Sequence, residues 1–414
     1  IPSYSFLPFA AAAKKLPHPK PSPPPPAITM PPTTPVQSLP EELLEEVFLH
    51  LPPDEPEHLV RASLASKLWL GLLTGARFRG RYRDFHGAPP MLGFLYTLPF
   101  LCFSPPSTDP RPHFVSTTKF AARIPDDLRG HSEYDAQDCR HGRVLIRCKD
   151  LGHRMLFIWN PMTGCSTELR PFTEYMEAES HGAAVLCALT GCDHRACHEG
   201  PFRVVFVYLD QDEGEGVCVA SAAVLLSDSD SSKRPNGKWC EPCSRLHLVD
   251  DAFIEARPPV LVQDALHFML RHYEDYRRVG ILKYDLGSNC LSLIDAPLEG
   301  PVIDDAATLM AMEDDSLGLA HVERLTLNLW SRQMASHGVA SWTQRAIVDL
   351  GNLLPIQNPE EDLELLGSVE GSDTVFVTTD MGIYEINLKS LRWKKLWKTD
   401  KFCALIPYMS FYNR

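Results

Sequence analysis

FIWNPMTGCSTEL, residues 157–169, decides the fold, because it recurs as LKYDLGSNCLSLI at 282–294 and as YEINLKSLRWKKL at 384–396. Each copy has an alternating run, then Asn160, Asp285 or Asn387, then a turn and a second run. Apolar residues recurring at every second position read as a half-buried strand. An Asx side chain that accepts from backbone N–H groups ahead of it closes a turn, so each copy reads as a hairpin. Trp159, Tyr284 and Ile386 precede the Asx and point to one face. The pair at 325–348, with a longer hairpin through 336–338, reads as a divergent copy. Short strand–turn–strand runs precede two of the copies, PPVLVQDALHFML at 258–270 and ELLGSVEGSDTVFVTT at 364–379.

The same β-rich period extends from residue 90 to the end, about 325 residues in all. Four strands in every ~45–55 residues is the spacing of a propeller blade, which gives six or seven blades. A last strand near 404–411 is expected to pair with early residues, closing a ring without exposed sheet edges. The apolar run 91–103 contains Pro99 and falls short of the ~20 residues of a membrane helix. It reads as two buried strands broken at the proline, so no membrane role is expected. The polar run SDSDSSKRPNG, 227–237, reads as a loop.

Upstream the period changes to helical. SLPEELLEEVFLHLPPDEPEHLVRASLASKLWLGLL, 38–73, holds two or three short amphipathic helices. Leu43, Leu44, Val47 and Leu51 share one face, and Glu41, Glu42, Glu45 and Glu46 take the opposite one. Ser38 with Glu41 forms a capping-box pattern, Pro40 suits a first turn, and Pro52-Pro53 ends the helix. A second run carries Leu59, Val60, Ser63, Leu64, Lys67, Leu68 and Trp69. So small a unit cannot bury that much apolar surface alone, so it docks on the rest of the chain or on a partner. In 74–90, Arg77, Arg79, Arg81 and Arg83 alternate with Phe78, Gly80 and Tyr82. This reads as a helix end and linker whose arginines face acidic surface; an import or phosphate-binding patch is the other reading. Residues 1–37 are Pro-rich and suit extended polyproline conformations, with a ligand for a polyproline-binding domain as the other reading. Met30 is the first methionine, and a translation start there is one reading of this segment.

Composition narrows the function. With 53 acidic against 40 basic side chains the formal charge is −13, which argues against a general nucleic-acid binder. Twelve cysteines without a regular framework read as free thiols of a cytoplasmic or nuclear protein. The densest group is Cys187, Cys192, His194, Cys197 and His198, with Cys240 and Cys243 further on. Its spacing matches no zinc-finger pattern, so it reads as a polar loop, with Cys192, His194, Cys197 and His198 the one candidate metal cluster. No cofactor is expected. Nucleophile-elbow, zinc-protease, phosphate-loop and dinucleotide motifs are absent from the sequence. Asp304-Asp305 and Asp314-Asp315 read as solvated turns, and His267, His272 and Tyr273 as residues flanking a strand.

The helical stretch resembles an F-box. Leu39-Pro40, Glu42-Leu43-Leu44, Val47-Phe48, Leu51-Pro52, Leu59, Arg61 and Ala65-Ser66-Lys67-Leu68-Trp69 carry the likeness, with Ala65 and Ser66 in place of Val and Cys. The β region, through 138–145, 158–164 and 281–286, resembles the F-box-associated propeller of plant, grass-type F-box proteins, with kelch-like patterns. The resemblance implies a small all-α F-box followed by an all-β propeller-like domain of six or seven blades. Its parts are a disordered segment 1–37, the F-box 38–80, a linker 81–90 and the propeller 91–414. It further implies the substrate-recruiting subunit of an SCF-type cullin ubiquitin ligase that performs no bond chemistry itself. The F-box would bind a Skp-type adaptor through Leu39, Pro40, Leu43, Leu44, Val47, Phe48, Leu51, Pro52, Leu59, Leu64, Lys67 and Trp69. The propeller would bind a target protein. The alternative is a propeller enzyme or small-ligand sensor with a helical cap, which a dry central pocket with convergent carboxylates would mark.

Overall fold

The computed structural model describes residues 39–87, 90–97, 114–125, 128, 134–148, 155–169, 180–192, 200–212, 217–227, 238–240, 243–272, 278–298, 302, 305–334, 340–398 and 402–409. The Pro-rich segment, Ser38, residues 98–103 and the loop at 228–237 therefore lie outside the described residues. The chain divides between Leu44 and Glu45 into two compact units. That boundary falls inside α1 (Glu41–Leu49). In the first unit Pro40 stands just before the helix, and its carbonyl accepts from the Leu43 and Leu44 amides at 3.0 and 3.1 Å. Its missing N–H costs nothing there, as the sequence predicts.

The second unit continues with α2 (Glu57–Ala65), α3 (Lys67–Thr74) and α4 (Ala76–His86). The run from Leu59 to Trp69 is two helices. Ser66 is extended, and its Oγ accepts from the Trp69 amide at 3.1 Å, capping α3. Replacing Ser66 with Ala orphans that N–H and should lower stability by about 1 kcal/mol. Ser66→Asp, which keeps an acceptor, should leave the urea midpoint unchanged. Most of the stretch read as a linker is helical, because α4 runs on to His86. It is anchored by Phe78 and Tyr82, both buried and one turn apart. The Tyr82 hydroxyl donates to the Leu51 carbonyl at 2.6 Å, and His86 Nε2 lies 2.7 Å from the Leu49 carbonyl. Gly87 ends the helix at φ +75°, a conformation that favours glycine, and its N–H reaches the Arg83 carbonyl at 2.7 Å.

Six antiparallel sheets follow. β1 (Met91–Thr97) and β2 (Phe114–Ser116) begin the first. β3 (Tyr134–Arg140), β4 (Arg143–Cys148), β5 (Met155–Trp159) and β6 (Ser166–Leu169) form the second in that order. The third holds β7 (His181–Cys187), β8 (Phe202–Asp212) and β9 (Val217–Leu226), with β10 (Lys238–Trp239) and β11 (Ser244–His247) both on the β9 edge. In the fourth, β12 (Ala252–Ile254) and β13 (Val260–Val262) both pair with β14 (Ala265–His272), followed by β15 (Val279–Asp285) and β16 (Cys290–Asp295). The fifth is β17 (Ala307–Ala311), β18 (Leu317–Glu323), β19 (Thr326–Met334) and β20 (Ala340–Asp349), followed by the short α5 (Leu350–Leu353). The sixth is β21 (Glu364–Val369), β22 (Thr374–Thr379), β23 (Gly382–Asn387) and β24 (Arg392–Trp397). β25 (Ala404–Met409) then returns to the first sheet and pairs with β1, Phe94 opposite Pro407.

The core shows that these sheets form a ring. Among the described residues six apolar clusters occur, each shared by two neighbouring sheets. Val144 and Trp159 meet Leu92 and Tyr408 between the first and second sheets. Phe206 meets Leu145 at the next seam, and Phe268 meets Val207 at the one after. Met269 meets Leu319, and Leu329 meets Val375. The sixth cluster joins Phe376 and Ile383 to Phe94 and Leu405, so the last sheet packs on the first. This is a six-bladed β-propeller, which settles the choice between six and seven. The first and last described strands share the first blade, so closure rests on the β1–β25 ladder.

The repeated hairpins are the outer pairs of three blades. Asn160 Oδ1 accepts from the Met162 and Thr163 amides at 3.0 and 3.3 Å. Asp285 Oδ1 accepts from Gly287 and Ser288 at 3.2 and 2.9 Å, and Asn387 Oδ1 from Ser390 at 2.8 Å. The hydrogen bonds from Ser288, with Lys283 beside them, hold the Asp285 carboxyl at about 2. Trp159, Tyr284 and Ile386 are fully buried. β19 and β20 supply the divergent copy, with a bulge between Leu329 and Trp330; its connection at 336–338 lies outside the described residues.

Candidate functional site

The residues that the sequence proposes for adaptor docking separate by exposure. On α1, Leu43 and Val47 stand one turn apart and are 53% and 55% exposed, while Leu44 and Phe48 are buried. The apolar face is therefore two stripes, one turned inward and one outward. Leu39, Pro40, Leu64 and Lys67 are exposed, and Leu51, Pro52, Leu59 and Trp69 are half-buried. Trp69 packs edge-on against Phe48 with ring centroids 5.1 Å apart, so it supports the helices from within. Sequence reasoning left Val60, Leu68 and Leu70 out of the candidate surface, and all three are exposed. Val60 and Leu64, four apart on α2, carried a signal; Leu68 and Leu70 lie on α3 beyond the break at Ser66, where that spacing no longer applies.

Glu45 corrects a sequence expectation. It is buried rather than on a solvated face, and Arg81 Nη1 reaches its Oε1 at 2.8 Å. Arg81 also holds Glu46 at 3.0 Å, and Arg77 lies 3.8 Å from Glu45. Of the four arginines, Arg77 and Arg81 thus face acidic side chains, from within a helix rather than from a helix end and linker. The acidic loop after α1 is tied down as well. Glu55 accepts from Lys119 at 2.6 Å and from His58 at 2.7 Å, which holds its carboxyl below the usual range.

The propeller axis carries a second charged group. A cavity of about 70 Å³ is lined by Asp138, Arg140, Arg257, Thr308, Ser368 and Glu370, among others. Arg140 pairs with Asp138, reaches Glu370 Oε2 at 3.0 Å and donates to the Pro259 carbonyl at 2.5 Å. Arg257 pairs with Asp305 and lies 3.3 Å from Glu255. Asp138 also accepts from the Val185 amide at 2.8 Å. Burial pushes its carboxyl up to about 6 against the pull of Arg140. Carboxylates do converge here, but arginines hold them. The volume admits a few waters and is far below the ~300 Å³ of a typical ligand pocket.

Of the other sequence candidates, Asp305 and Asp315 occupy turns at φ 61° and 57°. Asp314 accepts from Ser316 Oγ at 2.5 Å and from Arg345 at 2.7 Å. Asp304, Tyr273, His194, Cys197 and His198 lie outside the described residues; Cys192 is half-buried. Among the described residues no three His, Cys, Asp or Glu side chains gather as metal ligands, and no helix is long and apolar enough to cross a membrane.

His267 is buried on β14, its Nδ1 3.4 Å from the Val260 carbonyl. Burial, with Lys283 and Arg332 nearby, lowers its pKa to about 4. Unfolded, the ring titrates near 6.5. Between those values the unfolded chain binds the extra proton, so this group's stability is full above about 6.5 and is lost as pH falls toward 4. Asp138 acts in the opposite sense, since the folded chain binds its proton first. His267→Phe should therefore remove an acid-side fall in the urea midpoint, and midpoints of both proteins from pH 7 to 4 check this.

Residues 36–79 match the F-box domain family. No curated protein matches the chain. Among solved structures it is similar to TolB from Acinetobacter baumannii, at 10% identity over 84% of this chain and 73% of that one, TM-score 0.33. It is similar to a DUF4784 family protein from Bacteroides caccae, at 11% identity over 78% and 75%, TM-score 0.41. It is also similar to the PQQ-bound aldose sugar dehydrogenase of Streptomyces coelicolor, at 12% identity over 79% and 89%, TM-score 0.34. Likenesses this distant say nothing about activity; the blade count rests on strand pairing and core.

Proposed function

We propose that this chain is the substrate-recruiting subunit of an SCF-type ubiquitin ligase: its helices dock on a Skp-type adaptor and its propeller holds a target protein. The observation that carries this reading is the exposed pair Leu43 and Val47 within the stretch that matches the F-box family. Leu44 and Phe48 already fill the inward side of the same helix, so the outward stripe is left for another chain. Leu39, Leu64 and Lys67, with Val60, Leu68 and Leu70 added, are the further contacts; Leu51, Pro52, Leu59 and Trp69 shape the helices that present them. Apolar anchors of this kind carry most of the energy of a protein interface. Catalysis would be by proximity, the ligase bringing a ubiquitin-charged enzyme to the bound target. Arginine-paired carboxylates and a small cavity lend no support to the enzyme or ligand-sensor alternative.

The test is capture of a purified Skp-type adaptor by the full chain, followed by assembly with a cullin. Retention through gel filtration is the expected result. An adaptor that elutes alone at micromolar concentrations overturns the proposal.

A further inference from the structure

Cys240 and Cys243, three residues apart in sequence, both stand at the β9 edge of the third blade. The Cys240 amide donates to the Val224 carbonyl at 2.9 Å, and the Val224 amide donates to Cys240 Sγ at 3.1 Å. The Cys243 amide donates to the Ala222 carbonyl at 2.9 Å. Val224 and Ala222 are alternate residues of β9, so one strand edge fixes both cysteines by their backbones. The Cys243 Sγ donates to the Ala222 carbonyl at 3.3 Å, and partial burial, followed by the neighbouring Cys243, holds the Cys240 thiol above its ordinary value. Both are exposed, unlike Cys148, Cys187 and Cys218. Cys243 Sγ also lies 3.3 Å from the Tyr284 hydroxyl of the fourth blade. Next to it, Ser244 Oγ accepts from the Leu291 amide at 2.9 Å. The pair thus stands at a seam between blades.

We infer that Cys240 and Cys243 form a redox-sensitive dithiol that a hydroperoxide converts to a disulfide. The Cys243 thiolate attacks the peroxide O–O bond, giving a sulfenic acid and releasing an alcohol, or water from hydrogen peroxide. The Cys240 sulfur then attacks the Cys243 sulfur. The S–S bond forms, the S–O bond breaks, and hydroxide leaves with the Cys240 proton as water. Two thiols are oxidised by two electrons and one peroxide is reduced. Closure removes the thiol that contacts Tyr284 and pins the start of β11 to the end of β10.

The full chain, treated with stepwise hydrogen peroxide and then N-ethylmaleimide, gives the answer by peptide mass. The expected product is a Cys240–Cys243 peptide lighter by two hydrogens and restored by dithiothreitol. The exposed Cys165 and Cys290 should still be alkylated at that dose. In Cys240→Ser, the sulfenic acid on Cys243 should persist and react with dimedone. Alkylation of both Cys240 and Cys243 at doses that oxidise Cys165 or Cys290 overturns the inference. So does sulfinic acid at Cys243 in the native chain without any disulfide.

Discussion

Replacing Leu43 and Val47 together with Asp should weaken binding to a Skp-type adaptor about 1,000-fold while the chain stays folded. Each exposed apolar anchor is worth about 2 kcal/mol when it lies at the centre of an interface. Two of them give about 4 kcal/mol, and each 1.4 kcal/mol is tenfold in affinity. Asp adds the desolvation of a carboxylate, so the estimate is a lower one. The fold should survive because neither side chain belongs to a core cluster and both are more than half exposed. Leu44→Asp is the contrasting variant. Leu44 is buried, so this change should lower helical signal and binding together. Calorimetric titration with purified adaptor and far-UV circular dichroism separate the two. Undiminished affinity in the double variant would mean that α1 is not the docking element.

The β region was legible where local chemistry repeats. An Asx residue that closes a hairpin leaves the same mark each time, and Trp159, Tyr284 and Ile386 fill equivalent buried places before it. Closure was legible too, because a strand at the very end of a β-rich chain needs a partner, and Ala404–Met409 finds one in Met91–Thr97. Blade number was not, since loops of unequal length blur the period and the first blade is assembled from both ends. Only the six seams of the core fix it.

The helical stretch was legible as helix and less so as surface. Leu43 and Leu44 are neighbours in sequence and sit near each other on a helical wheel, yet one is exposed and the other buried. A wheel gives a broad apolar arc; the packing of Phe48 on Trp69 decides which part of it turns inward. Glu45 shows the same limit. Its partner Arg81 lies 36 residues on, and no local pattern links a carboxylate to an arginine at that distance. The helix at Ala76–His86 did carry a signal, Phe78 and Tyr82 four apart, which the surrounding arginines and Gly80 obscured.

The propeller axis was hidden for a similar reason: Asp138, Arg140 and Glu370 are ordinary charged residues until ring closure brings Arg140, at the end of β3, within reach of Glu370, just past β21, and of Pro259 in the β12–β13 connection. Arg140→Met should lower stability by about 3–5 kcal/mol near pH 8, because truncating one member strands the others. Glu370 is 39% exposed at its side chain and can return to water, but Asp138 is 2% exposed and cannot. Its carboxyl is already held at about 6 with Arg140 present. Without the guanidinium it moves higher still. Unfolded, it titrates near 3.9. Between those values the folded variant binds a proton that the unfolded chain does not, so its stability rises as pH falls. The deficit of Arg140→Met against the native chain should therefore be largest at pH 8 and shrink toward pH 5. Asp138→Asn keeps an acceptor for the Val185 amide while removing the charge. Added to Arg140→Met, it should recover much of the loss at pH 8 and flatten the pH dependence. Urea midpoints of the native chain and the three variants at pH 8 and pH 5 measure all of this. A deficit that is the same at both pH values, and that Asp138→Asn does not relieve, would mean that lost packing and the Pro259 hydrogen bond, not a stranded carboxylate, set the penalty.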